Sequence, residues 1–180
     1  MVMAFSLLLL PVNAAWTRAI AFSVSVVIFC LAFYIYQQFD PHGGMQFREY
    51  HPWIKSYGIH YSLGLDGFSL IVLMLIATLI PSAYLLLWKN NRSKSYWISM
   101  LLIQSGISGT LFSLDLILFY FFWEAMLLPV FMIIGLFGSG NRVFSTLKVT
   151  IYTIMGSLFM FVSILYLGVA YYYEFAVWSF

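Results

Sequence analysis

Long apolar runs separated by short polar breaks organise this chain from end to end. Ala15 to Tyr36, Leu65 to Trp88, Tyr96 to Ser113, Leu116 to Gly138 and Phe144 to Tyr171 each approach or exceed the roughly eighteen residues that mark a membrane-crossing helix. Met1 to Pro11 is apolar but short. It reads as a clipped first membrane helix or as a signal peptide, since Val12-Asn13-Ala14 resembles a small-x-small cleavage site, although the basic n-region is missing. The pattern predicts an all-α integral membrane protein of about six transmembrane helices, over about 1–11, 15–36, 65–88, 96–113, 116–138 and 144–171. Residues 37–64 are then the one sizeable loop outside the membrane, turning at Pro41-His42-Gly43-Gly44.

Composition agrees with a membrane setting. With 63% hydrophobic and 8% charged residues and a mean hydropathy of +0.96, the chain has too little polar surface to cover a soluble globule. A net charge of +2, spread over scattered basic residues, gives no nucleic-acid patch. Cys30 stands alone in an apolar run, and His42, His51 and His60 show no metal-ligand spacing, so no metal or redox cofactor is expected in this chain.

The basic residues carry topology. Counting Met1 to Pro11 as a helix puts Arg18, Lys89, Arg92, Lys94, Arg142 and Lys148 on one side and Arg48 and Lys55 on the other. That asymmetry marks the first group as cytoplasmic and the 37–64 loop as outward-facing. Trp16, Trp53, Trp88, Trp97 and Trp178 lie at or near helix ends, as interfacial anchors do.

Within Leu116 to Gly138, Glu124 is the only charged side chain. A carboxylate near the centre of a membrane helix costs about 2.5 kcal/mol or more, so such residues face a protein interior or a water path and mark ion or proton routes. Pro129 cannot donate to the carbonyl of Ala125, which frees a backbone acceptor about one turn beyond the carboxyl group. The bland alternative is a protonated packing residue beside a tolerated kink. Pro81 likewise frees the carbonyl of Ala77, near Thr78 and Ser82, where a simple kink is the plainer reading.

Other polar residues have simpler expected roles. Asp66 and Asp115 each precede an apolar run and are placed to cap helix N-termini. Asp115 and Glu124 are nine apart and do not share a helical face as a carboxylate pair. Lys148 enters the last span a turn or two in, where it snorkels to the interface or biases the charge of Glu124 through an intermediary. Gln104, Ser105, Gly106, Ser108, Gly109 and Thr110 make Tyr96 to Ser113 small and polar, as Thr146, Thr150, Thr153, Gly156 and Ser157 do for the last helix. Such residues form packing seams. A membrane-embedded hydrolase finds no grouping of nucleophile, base and orienter here.

Several segments occur together in order: Leu63-Gly64-Leu65-Asp66-Gly67-Phe68-Ser69, Leu114-Asp115-Leu116-Ile117-Leu118-Phe119-Tyr120, Phe122-Trp123-Glu124-x-x-Leu127-x-Pro129, Gly135-Leu136-Phe137-Gly138 and Lys148-x-x-x-Tyr152-Thr153-x-x-Gly156-Ser157. Over roughly Tyr57 to Leu165 the chain resembles the antiporter-like proton-pumping subunits of respiratory complex I, closest to chain M of the bacterial enzyme and chain 4 of mitochondria and plastids. The resemblance implies the opening part of an antiporter-like fold that moves protons while NADH oxidation and quinone reduction take place in partner subunits, which would hold the NADH, flavin and iron-sulfur sites. Glu124 matches the family's fifth-helix glutamate, and Lys148 a sixth-helix lysine. It also implies other complex I membrane subunits and the lipid bilayer as partners, with the bacterial inner membrane as the location. A subunit of a cation/proton antiporter or of a membrane-bound hydrogenase, or a non-pumping structural fragment, are the alternatives. The central lysine expected to pair with Glu124 does not occur in these 180 residues, so the chain reads as a fragment of a longer subunit.

Overall fold

The computed structural model describes residues 13–90 and 92–175. Five helices carry the fold: α1 (Ala14–Gln38), α2 (Gly67–Leu86), α3 (Lys94–Phe112), α4 (Leu116–Phe137) and α5 (Arg142–Phe175). Four of them, α1, α2, α4 and α5, are long and apolar enough to cross a bilayer by length and composition. The protein is a multi-pass integral membrane protein of the expected all-helical class. The segment expected as a clipped first helix, 1–11, lies outside the described residues.

The 37–64 interval is more than the loop expected from sequence. Strands β1 (Gln46–Ile54) and β2 (Ile59–Leu65) pair antiparallel, joined by a short 3-10 turn at Lys55–Tyr57 and by Gly58 in the left-handed conformation at φ 64°. Tyr, Trp and Ile in the strands suit a pleated surface. Pro52 is tolerated because each strand of a two-stranded sheet is an edge. A register shift between Gln46 and Glu49 coincides with Phe47 at φ 52°.

Capping sets where α2 and α4 begin. Asp66 accepts from the Ser69 backbone N–H at 2.8 Å, so α2 starts at Gly67, while Leu65 ends the strand before it. Asp115 accepts from Ile117 at 2.9 Å and Leu118 at 3.1 Å. Both aspartates are the N-caps their positions predict.

The least apolar helix is the one inside. Trp97, Ile98, Ser99, Met100, Leu101, Gln104 and Gly106 of α3 are all buried, and α3 packs against α1, α2 and α4. Glycine permits its close approach to α4. A Cβ on Gly106 would fall 2.6 Å from Met126 Cβ, and one on Gly109 would fall 2.3 Å from the Phe122 ring. α5 turns its narrow seam of Thr146, Thr150, Thr153, Ser157, Phe161 and Ile164 toward α4 and leaves most of its other side chains exposed. That exposure suits lipid or further helices.

Contacts gather the basic residues at one end of the bundle. Arg18 donates to the carbonyl of Trp88 and lies over the Trp88 ring, 4.6 Å from its centroid, which ties the start of α1 to the end of α2. Arg92 lies over Tyr96, and Tyr96 meets Phe137 edge to face at 5.0 Å, joining the α2–α3 connection to the end of α4. Arg142 opens α5 at this same end. The hairpin, with Arg48 and Lys55, sits at the other end, where Trp53 packs against Phe121.

Candidate functional site

Glu124 is held on the α4 face that meets α5, inside the helical run and away from both helix ends. One carboxyl oxygen, Oε1, is buried and has no hydrogen-bond partner in the protein. Tyr120, one turn earlier on the same face, brings its hydroxyl close to the Glu124 carboxyl and to the Ser157 hydroxyl of α5. The Tyr120 ring is fixed by stacking on Phe161 at 4.8 Å. Ser157 is 5% exposed and donates to the carbonyl of Ile154 at 3.1 Å. Glu124, Tyr120 and Ser157 thus form a small polar cluster in an apolar interface.

The cluster has the parts of a proton-exchange site. A carboxyl group is the one member able to gain and lose a proton at ordinary pH. The Tyr120 hydroxyl both donates and accepts, so it can respond to either state of the carboxyl. Pro129, buried and inside α4, leaves the Ala125 carbonyl without its helical donor one turn above Glu124.

Lys148 is placed elsewhere. Gly135 faces Thr146, and Tyr120 faces Phe161, so the antiparallel register of α4 and α5 sets Glu124 level with Ser157 and Lys148 level with Ile133. Nine residues along α4 amount to about 13 Å. Lys148 is exposed, and no ion pair joins it to Glu124 among the described residues. Near the basic end, its long stem can carry the ammonium group outward.

Asp115 belongs to a structural knot. It is 2% exposed, caps α4, and also accepts from the backbone N–H of His60 at 2.8 Å. The place of Asp115 ahead of an apolar run predicts the cap but not the strand N–H that it holds. Tyr120 stands in the sequence only as part of a motif and Ser157 only in a packing seam. The i−4 spacing from Tyr120 to Glu124 was the available signal, whereas the pairing with Ser157 depends on the α4–α5 register.

Residues 113–172, which include the whole cluster, match the family described as "NADH:quinone oxidoreductase/Mrp antiporter, TM". The chain is 39% identical over 153 residues to NADH-quinone oxidoreductase subunit M of Rhodobacter capsulatus, covering 84% of this chain and 29% of that protein. It is 37% identical over 137 residues to F(420)H(2) dehydrogenase subunit M of Methanosarcina mazei, covering 74% of this chain and 28% of that one. The chain therefore spans less than a third of the length of these relatives. Its fold is similar to a chain in the structure of the membrane-bound sulfane sulfur reductase, an archaeal respiratory membrane complex, with a TM-score of 0.76 and 23% identity over 98% of this chain and 27% of that one. Taken with the ordered motifs around Glu124, these matches show that the chain belongs to the NADH:quinone oxidoreductase/Mrp antiporter membrane family, as a stretch similar to subunit M.

Proposed function

We propose that this chain is part of a proton-translocating membrane subunit of an NADH:quinone oxidoreductase, with Glu124 as its proton-exchange residue. The observation that carries the reading is the Glu124 carboxyl, set inside a membrane helix with a buried oxygen that has no protein partner and with the Tyr120 hydroxyl beside it. An intramembrane carboxyl that protein groups neither neutralise nor fully solvate is poised to trade its proton when its surroundings change. Charge movement in neighbouring elements would alter its proton affinity and drive uptake and release. Lys148, about 13 Å along the bundle axis, acts on this carboxyl only through intervening groups.

Electron transfer belongs to partner subunits, which would hold the NADH, flavin and iron-sulfur sites. The location that fits is the bacterial inner membrane, with the basic end of the bundle on the cytoplasmic side. A second reading keeps the same proton chemistry but another electron donor, and it is favoured by the relative named as an F(420)H(2) dehydrogenase subunit. Gene neighbours encoding NADH-oxidising subunits would decide for the first reading.

The test is replacement of Glu124 by Gln and by Ala in the full-length subunit within its complex. Proton pumping coupled to NADH oxidation should fall about tenfold or more in both. Unchanged pumping in both would remove Glu124 from the proton route.

A further inference from the structure

The core of the α1–α2–α3 junction is divided in two. One apolar cluster joins Ala21 of α1, Tyr84 of α2 and Trp97, Ile98, Met100 and Leu101 of α3. The other joins Ala32 of α1 and Leu70, Leu73 and Ala77 of α2, with Leu111 and Phe112 of α3 packed against it. α1 and α3 therefore run parallel here, with α2 antiparallel to both. Between the clusters, Ser25 comes four residues after Ala21 on α1, and Gln104 three residues after Leu101 on α3, which puts them at about the same height.

Both side chains are 0% exposed, and neither the Ser25 hydroxyl nor the Gln104 amide, at Nε2 or Oε1, has a hydrogen-bond partner in the protein. α2 adds a third group. Pro81 has no N–H, so the carbonyl of Ala77, a residue only 1% exposed, lacks its helical donor and points along α2 toward this same layer. Three helices thus contribute unsatisfied polar groups to one level. Groups left bare at such depth forfeit their hydration with nothing in return.

We propose that this layer is an internal water site, with Ser25, Gln104 and the Ala77 carbonyl as its ligands. The chemistry selects the occupant. Gln104 offers two donors and an acceptor, Ser25 offers one donor and accepts, and the carbonyl only accepts. Water matches a mixed set because it donates and accepts, and buried waters commonly make about three such bonds. A metal cation would use only the oxygens and leave both Gln104 N–H bonds unpaired, and an anion would face the bare Ala77 carbonyl. The site is separate from the Glu124 cluster. Gly106 and Gly109 mark the face of α3 that meets α4, and Gln104, two residues before Gly106, lies about 200° around the helix from it.

A density map of the full-length subunit in its membrane complex, at a resolution that shows ordered water, tests this directly. The expected result is a water peak within about 3 Å of both the Ser25 hydroxyl and the Gln104 amide, present in the wild type and in Glu124→Gln, and lost in Gln104→Leu. Direct bonding of the Gln104 amide to Ser25 or to the Ala77 carbonyl, with no water peak in the wild type, would overturn the proposal. The wild-type map decides even if Gln104→Leu fails to assemble. Because the readout is density and not pumping, it stands or falls independently of the role given to Glu124.

Discussion

The backbone N–H of His60 donates to the Asp115 carboxylate at 2.8 Å, and the same carboxylate caps α4 through Ile117 and Leu118. One buried side chain therefore fixes the hairpin to the helix that carries Glu124. The neighbouring backbone reinforces the join, since Leu114 N–H donates to the Ser62 carbonyl at 2.9 Å. Replacing Asp115 by Ala removes acceptors from three N–H groups and should destabilise the subunit by about 2–3 kcal/mol. Asp115→Asn keeps an acceptor and should cost less. Thermal unfolding in detergent measures both, and equal losses would show that the single acceptor kept by Asn contributes nothing.

Asp66 predicts a pH dependence. Hydrogen bonds from Ser69, first from its side chain and then from its backbone N–H, hold the Asp66 carboxyl below its ordinary range. A carboxyl lowered in the folded state stabilises fully above its unfolded pKa of about 3.9 and loses that contribution as pH falls through the folded value. The wild type should exceed Asp66→Ala by about 1 kcal/mol near neutral pH. That margin should shrink below about pH 4. A margin that is constant with pH would mean that the charged form of the cap is not what stabilises α2.

Close packing of α3 on α4 predicts a contrast between glycines. Gly109→Ala puts a Cβ 2.3 Å from the Phe122 ring, so the ring or the helices must shift. The cost should be about 1–3 kcal/mol. Gly44→Ala meets nothing within 4 Å and should stay within about 0.5 kcal/mol of the wild type. Melting temperatures of the two variants separate them, and equal values would argue that α3 and α4 are not in close contact at Gly109.

Tyr120 and Lys148 make opposite predictions for the Glu124 carboxyl. Tyr120→Phe deletes the hydroxyl that lies beside it, so the infrared carboxyl band assigned through Glu124→Gln should move. Lys148→Met changes a group about 13 Å away along the bundle, and the band should keep its position. A shift on Lys148→Met as large as that on Tyr120→Phe would contradict the register that separates Lys148 from Glu124.

The helices were legible because a bilayer demands uninterrupted apolar runs, and four of the five described helices satisfy that by composition alone. Their starts at Gly67 and Leu116 were legible through Asp66 and Asp115. The hairpin was not. Arg48, Glu49, His51 and Pro52 dilute the strand signal of Tyr50, Trp53 and Ile54, and a two-stranded sheet with both edges open leaves no clean alternation. Glu124 stood out from its apolar surroundings, but the approach of Ser157 to Tyr120 and the Ser25–Gln104 layer depend on how helices distant in sequence are aligned. Periodicity within one helix carries no such register.

Infrared difference spectroscopy of the full-length subunit in its working complex tests the central claim most directly, by following the Glu124 carboxyl during NADH-driven turnover. The account predicts a carboxyl band that appears and disappears with turnover and is absent in Glu124→Gln. A Glu124 carboxyl that keeps one protonation state throughout, while the complex pumps, would contradict it.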